Sequence, residues 1–352
     1  MNQEVKTLVI LTPAFPKNES ESSWVPSQQL LVKNLKIQFP DLNILVLSFL
    51  YPYEKCEYNW HGVKVVAFAG MHQKKLKHLF LWRNIWRELK KAKKQNKIIG
   101  ILSFWCNECA LIGKWFARYY KLKHFCWICG QDAREINHYV KWIRPKSEEL
   151  VAISDFVSDE FERNFKVRPG YIIPNGVDTT LFPNELPLHR QIDILGAGSL
   201  IPLKQYDVFT YVVAVLKQSL PNIKAIHCGD GAEKEKIDVL IKKYAIENNF
   251  HLGGSKKHDE LLHLMQRTKV FLHPSSYEGF STVCLEALYA GCHVISFTRA
   301  MNYDIQNWHI VNSKEDMADK ALQLLNDNNL HHERVFVYSL DDIASQTMQL
   351  FI

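Results

Sequence analysis

Short apolar runs bounded by turn residues alternate with longer amphipathic runs along almost the whole chain, and this alternation restricts the fold more than any other feature. TLVILT, LNILVLSF, VKVVAF, IIGILSF, HFCWICG, ELVAIS and YIIP read as strands in the first half. DILGAGS, IKAIHCG, FHLGG, KVFLHPS and HVISF do so in the second. They are short and rich in β-branched or aromatic residues, whereas runs such as DVFTYVVAVLKQSL and EKEKIDVLIKKYAI repeat their apolar residues at helical spacing. Strand, helix, strand is the unit of a parallel sheet, since a parallel neighbour is reached only by a crossover long enough to hold a helix. At 352 residues the chain exceeds what one core usually serves. The predicted fold class is therefore α/β, with two Rossmann-like, doubly wound parallel-sheet domains. The boundary is placed in IIPNGVD, giving domains 1–173 and 174–337, and SLDDIASQTMQLF in 338–352 reads as a final capped helix, a candidate to pack back on the first domain. Ligands of such sheets bind at the carboxyl ends of strands, and the cleft between the two domains is the expected active site.

One unit carries the most polar chemistry. In HPSSYEGFSTVCLEALYAGCHVISF, residues 273–297, a strand ends in a loop, Ser281 stands where an N-cap belongs, and Val283, Cys284, Ala287 and Leu288 share a helical face. Glu278 then lies in the loop and Glu286 inside the helix. With about 1.5 Å of rise per helical residue, carboxylates facing one cleft stand on the order of 10 Å apart. Two carboxyls acting on one glycosidic bond with retention need about 5 Å. The wider spacing suits a long ligand gripped at both ends, with an anion over the helix N-terminus, where free N–H groups and the helix dipole favour phosphate. A nucleotide-sugar has that shape, with sugar hydroxyls, a diphosphate and a ribose diol in line. For any lone pair of glutamates at this spacing, two solvated side chains are the plainer reading; their position after a strand and across a helix start favours the ligand.

EGFSTVCLEALYAGCHVI closely resembles the E-x7-E segment of the retaining glycosyltransferases of family 4, the group 1 glycosyltransferases, which have the GT-B fold of two Rossmann-like domains facing a central cleft. IIPNGVDTTLF resembles that family's interdomain segment and GAGSLIPLKQYDVF the first βα loop of its donor domain, while IHCGDGAEKEKI and FHLGG follow in the family's order. The resemblance covers the C-terminal block and is weaker over residues 1–170. It implies a donor site in which Lys204 meets the diphosphate, Glu278 the hydroxyls of the donor sugar and Glu286 the ribose. Gly198, Ser199, Gly229, Gly279, Phe280, Ser281 and Thr282 supply close backbone approach and N–H groups, and Leu252 lies beside the base. Glu278 and Lys204 are the expected catalytic groups. The plainer readings are an exposed loop lysine at Lys204 and a tight turn at Gly229. Phe15, Trp24, Trp105 and Asp132 are the candidate acceptor contacts in the first domain, with an N-cap as the other reading of Asp132.

The resemblance further implies metal-independent, retaining transfer of a sugar from a nucleoside-diphosphate donor to a hydroxyl of a glycan or lipid-linked acceptor, in the synthesis of a cell-surface polysaccharide or glycoconjugate. No cofactor and no metal beyond that donor substrate is expected, and no Asp-x-Asp motif is present. Two departures keep a rival open. Ser199 stands where many members carry arginine, and Cys129 in CGQDARE occupies the histidine position of an H-G-x-D segment. A catalytically silent sugar-nucleotide-binding or partner subunit on the same fold is the alternative.

Charge is uneven between the blocks. Residues 1–173 hold 27 Lys+Arg against 16 Asp+Glu, net +11, and residues 174–352 hold 16 against 21, net −5, which together give the +6 of the chain. Residues 71–97 contribute ten basic side chains and one acid, with Leu79, Trp82, Trp86 and Leu89 at helical spacing. A solvated helix packed on its own sheet and a helix adsorbed to an anionic membrane surface both fit. Nucleic acid is not expected as a partner, because no nucleic-acid motif accompanies the charge.

Cys106, Cys109, Cys126 and Cys129 match the spacing of a zinc site. The strand-like HFCWICG, which points Cys126 and Cys129 to opposite faces, and the lack of a turn glycine favour buried thiols instead. An early acid followed directly by a strand predicts no secretory signal, and no apolar run approaches the roughly 18 residues of a membrane span. The expected location is cytoplasmic, with peripheral attachment to the inner face of the cytoplasmic membrane if the basic helix adsorbs there.

Overall fold

The computed structural model describes residues 6–21, 24–71 and 75–352. The chain divides into two units, Met1–Asn175 with Tyr338–Ile352, and Gly176–Val337. The first is built on β1 (Lys6–Ala14), β2 (Asn43–Tyr51), β3 (Cys56–Trp60), β4 (Val63–Ala67), β5 (Lys97–Phe104), β6 (Lys123–Ile128), β7 (Leu150–Ala152) and β8 (Tyr171–Ile172). They form one sheet in the order β3-β4-β2-β1-β5-β6-β7-β8, parallel throughout except for the β3/β4 hairpin. That hairpin turns at His61 and Gly62, both at positive φ, as a two-residue turn between right-twisted strands requires. The strand order reverses between β1 and β5.

The basic helix Lys75–Gln95 packs on this sheet through Leu81, Ile85, Leu89 and Ala92, with Trp82 and Trp86 against the same core. The buried stripe therefore differs from the one expected from spacing. Leu89 and both tryptophans face the sheet, but Leu79 is turned out and 63% exposed, beside Phe80 at 64%. Arg83, Arg87, Lys90, Lys91 and Lys94 lie on the exposed side. The last helix, Leu340–Gln349, is capped by Ser339 Oγ, which accepts from the N–H groups of Asp341 at 3.0 Å and Asp342 at 3.4 Å. It is held in the first unit by Asn34 Nδ2 donating to Asp341 Oδ1 at 3.1 Å, and Phe351 packs edge-on to Phe125. Gly100 on β5 makes room for that ring, since a Cβ there would lie 2.2 Å from Phe351.

The second unit has β9 (Ile192–Ala197), β10 (Ala225–Cys228), β11 (Phe250–Leu252), β12 (Thr268–His273), β13 (His293–Ser296) and β14 (Trp308–Ile310) in the order β11-β10-β9-β12-β13-β14, all parallel. Phe209, Val212, Val213 and Leu216 on the helix Tyr206–Ser219 are fully buried against Ile194, Val270 and Leu272, each such side chain contributing roughly 1.5–3 kcal/mol. Here the order reverses between β9 and β12.

Cys106, Cys109 and Cys126 are buried in the first unit, and burial pushes the thiols of Cys109, Cys126 and Cys129 well above the usual range, so they are protonated. Among the described residues no helix is long and apolar enough to cross a membrane.

Candidate functional site

The order reverses at β9/β12, and the carboxyl ends of the strands at such a reversal are the usual ligand position of an open parallel sheet. Gly198 follows β9 with φ 147° and Gly229 follows β10 with φ 149°, a region closed to other residues. A Cβ on Gly229 would stand 1.9 Å from the Gly198 carbonyl oxygen, and one on Gly198 would stand 2.7 Å from the Tyr206 hydroxyl. Bare backbone is thus a steric requirement at both strand ends. The Tyr206 hydroxyl and His273 Nδ1 are buried here without a hydrogen-bond partner among the described residues. Ser199 is exposed on the loop after Gly198, and Leu252 is half-buried at the end of β11, in register with His227 of β10.

Lys204 ends the turn Pro202–Lys204 and Glu278 lies in the loop after β12. The two loops are tied together by Ser276 N–H and Ser275 Oγ, which donate to the Leu203 carbonyl at 3.0 and 3.3 Å. Lys204 Nζ donates to Glu278 Oε2, and His273 Nε2 lies 3.2 Å from the same oxygen. Burial holds His273 below its ordinary pKa, so its neutral ring donates Nε2–H to the carboxylate. Burial of Glu278 alone would raise its pKa. The His273 hydrogen bond and the Lys204 charge outweigh that and bring it down to about 2. Glu278 is therefore an anion at neutral pH.

Residues 279–281 lead from this loop into the helix Thr282–Tyr289, with Gly279 buried and Phe280 stacked on Trp308. Ser281 occupies the N-cap position expected for it, but its side chain makes no capping bond. Glu286 is buried one turn into the helix, and its Oε1 lies 2.8 Å from His258 Nε2. That hydrogen bond raises the His258 pKa against the opposing effect of burial. His258 opens the helix His258–Gln266 and belongs to no motif, so nothing in its local sequence pointed to a role. The second unit therefore brings Gly198, Gly229, Lys204 and Glu278 to neighbouring strand ends and gives each glutamate its own basic partner.

In the first unit the candidate acceptor residues differ in what they offer. Phe15 follows β1 but is fully buried, edge-on to Trp60 at 4.9 Å. That corrects its placement as a ligand contact, because its ring has no free surface. Trp24 is half-buried and stacks on Tyr51 at 4.4 Å, and Trp105 follows β5 with φ 67°, half-buried. Asp132 is buried and braces two loops, accepting from the N–H groups of Cys106 at 2.7 Å, Cys129 at 3.0 Å and Gly130 at 2.9 Å. Burial pushes it up to about 6 in spite of those bonds. With three backbone donors on it, this carboxylate serves the loops before any acceptor.

Comparison with known proteins completes the picture. Residues 178–335 match the family model of the glycosyl transferases group 1. An uncharacterized glycosyltransferase of Methanocaldococcus jannaschii is 24% identical over 314 residues, which are 86% of this chain and 85% of that protein. The gpi3 subunit of the Schizosaccharomyces pombe phosphatidylinositol N-acetylglucosaminyltransferase is 26% identical over 160 residues, which are 42% of this chain and only 35% of the subunit. The crystal structure of Anabaena HepE in complex with UDP and glucose aligns over 99% of this chain and 97% of its own, with a TM-score of 0.68 at 17% identity, a likeness of fold. Residues 178–335 of the second unit are thus similar to the group 1 glycosyl transferases, and the chain has the two parallel-sheet domains of the GT-B fold.

Proposed function

We propose that the chain transfers a sugar, with retention and without a metal ion, from a nucleoside-diphosphate donor at the carboxyl ends of β9 and β12 to a hydroxyl of a glycan or lipid-linked acceptor. One observation carries this reading: an anionic Glu278 paired with Lys204 at the reversal of the sheet, in a loop that runs into a helix start. Glu278 accepts hydrogen bonds from sugar hydroxyls and, being ionised, does not act as an acid. Lys204 supplies fixed positive charge where the leaving diphosphate gains negative charge. As the bond from the anomeric carbon to the phosphate oxygen breaks, the acceptor oxygen bonds to the same face of that carbon, and its proton passes to the departing phosphate. Glu286, held by His258, takes the ribose diol. The names of similar proteins support the substrate class, since the Anabaena protein binds UDP and glucose and the S. pombe protein is a subunit of an N-acetylglucosaminyltransferase acting on phosphatidylinositol.

Thermal unfolding against a panel of nucleotide-sugars and free nucleoside diphosphates tests this. A true donor at a hundred times its Kd raises stability by about 2.7 kcal/mol, and Lys204→Ala abolishes the rise. No rise with any member, or an equal rise in Lys204→Ala, refutes the site. Donor binding with no turnover on any acceptor favours the silent-subunit alternative. Attachment to an anionic membrane surface is a further part of the proposal, supported by Leu79 and Phe80, which stand exposed on the basic helix in place of the inward-facing tryptophans.

A further inference from the structure

The first unit contains a cavity of about 1580 Å³ that the donor chemistry does not use. Its wall includes Lys123 and Tyr171, the first residues of β6 and β8, so it opens at the amino ends of those strands. Trp105 and Asp132 follow the carboxyl ends of β5 and β6, at the opposite end of the same sheet. The volume exceeds the roughly 300–1,000 Å³ of a small-molecule pocket and suits a chain of several units.

Two kinds of side chain dominate the wall. Trp115, Trp142 and Tyr171 present aromatic faces that are 49%, 61% and 40% exposed. Arg118, Lys141 and Arg144 carry charges with no carboxylate partner among the described residues. The acids of the cavity are already engaged, Glu149 with Lys114 at 2.6 Å and Glu148 with Lys146 at 3.5 Å. Lys123 is spent on the carbonyls of Leu350 and Ile352. Arg118, Lys141 and Arg144 thus offer positive charge that no carboxylate among the described residues engages, interleaved with three flat aromatic rings.

We propose that this cavity is a binding site for an anionic oligosaccharide. Aromatic faces stack on the C–H faces of sugar rings, and the guanidinium and ammonium groups take carboxylate, sulfate or phosphate substituents, the guanidinium in bidentate fashion. Gln346 and Gln349, on the wall from the helix Leu340–Gln349, offer amide donors and acceptors to hydroxyls. A bilayer is flat and does not enter a recess, whereas a saccharide chain does. The site lies wholly within the first unit and stands or falls independently of the donor reading.

Isothermal titration of the full chain with a hexameric oligogalacturonate tests it, with maltohexaose, phosphatidylglycerol vesicles and a thymidine hexanucleotide as comparators. The acidic hexamer should bind saturably and at least about tenfold more tightly than maltohexaose, as expected for charge-assisted hydrogen bonds. The triple variant Arg118→Ala, Lys141→Ala, Arg144→Ala and the double variant Trp115→Ala, Trp142→Ala should each lose about tenfold or more. Trp115→Phe, Trp142→Phe should retain most of the affinity, and Lys204→Ala all of it. These are surface side chains, and an unchanged unfolding midpoint certifies each variant as folded. The proposal is overturned by no saturable binding of the acidic hexamer, by equal binding of maltohexaose, by affinity that survives both the charge and the aromatic variant, or by tighter binding of the vesicles or the hexanucleotide.

Discussion

Replacing Glu278 by glutamine keeps the volume of the side chain and removes its charge, which isolates what the carboxylate contributes. Its pKa falls from 4.5 to about 2 in the folded chain, because the His273 hydrogen bond and the Lys204 charge together exceed the cost of burial. Each pH unit of displacement corresponds to about 1.36 kcal/mol, so the ionised carboxylate stabilises the fold by about 3 kcal/mol at pH 7. A carboxylate with a depressed folded pKa contributes its full stabilisation above the unfolded value and loses it as pH falls through the folded one. The window is therefore pH 4.5 down to about 2, and at pH 3 about 1 kcal/mol remains. Burial holds the His273 pKa below its ordinary value and pushes Tyr206 and Cys284 up, so at pH 7 Lys204 is the charged neighbour of Glu278. Urea unfolding of wild type and Glu278→Gln at pH 7 and pH 3 reads the contribution directly. The gap between them should be about 3 kcal/mol at pH 7 and shrink toward about 1 kcal/mol at pH 3. A gap of equal size at both pH values, or none at pH 7, would mean that the Lys204–Glu278–His273 cluster is not the pre-formed ionic site described above. Turnover with the sugar donor should also collapse in this variant, while affinity for free nucleoside diphosphate changes little.

Glu286→Ala should weaken binding of the free nucleoside diphosphate by about tenfold or more, and His258→Ala by less, since it removes the residue that orients the carboxylate. His258 has a raised pKa, so its ionic hold on Glu286 is full below the ordinary histidine value and fades as pH rises through the higher folded one; wild-type affinity should decline over that range and the His258→Ala affinity should not. Turnover should survive dialysis against EDTA, and a loss restored by Mg²⁺ or Mn²⁺ would refute metal independence. Vesicles containing phosphatidylglycerol should float the protein at low salt and release it at high salt, each basic side chain near the surface being worth about 1 kcal/mol; if Leu79→Ser, Phe80→Ser floats as well as wild type, the exposed pair has no part in it.

The two-sheet architecture was legible because the central strands of both sheets are parallel and buried, which turns each into a continuous apolar run such as LVILT of β1 or VFLH of β12. The expected boundary between residues 173 and 174 lies two residues from the division observed between Asn175 and Gly176. Strands that break the rule were invisible. β3 is an edge strand with mostly exposed side chains, and β14, at the edge of the other sheet, is WHI with two of its three residues half-buried, so neither makes an apolar run. The basic helix shows a related limit. Apolar residues at 79, 82, 86 and 89 and at 81, 85, 89 and 92 both have helical spacing, and only the sheet beneath decides which row is buried.

The missed strand explains the misplaced Phe15. Phe15, an aromatic side chain just past the end of β1, has the position of a ligand contact as long as nothing covers it. What covers it is Trp60, the last residue of β3, and a reading without β3 has no means of placing that ring. The same logic separates the two halves of the donor cluster. Glu278 and Glu286 were marked by their spacing across a loop and a helix start, and Lys204 by the resemblance of its own loop, all of it local information. Their partners are fixed by sheet order: β12 lies beside β9, so His273 and Lys204 meet over one carboxylate, and His258 reaches Glu286 from a helix 28 residues earlier. Local pattern thus identifies the groups that a ligand would touch, whereas the tertiary fold sets their charge state and orientation, and it is on charge state and orientation that the proposed division of labour between Glu278 and Glu286 depends.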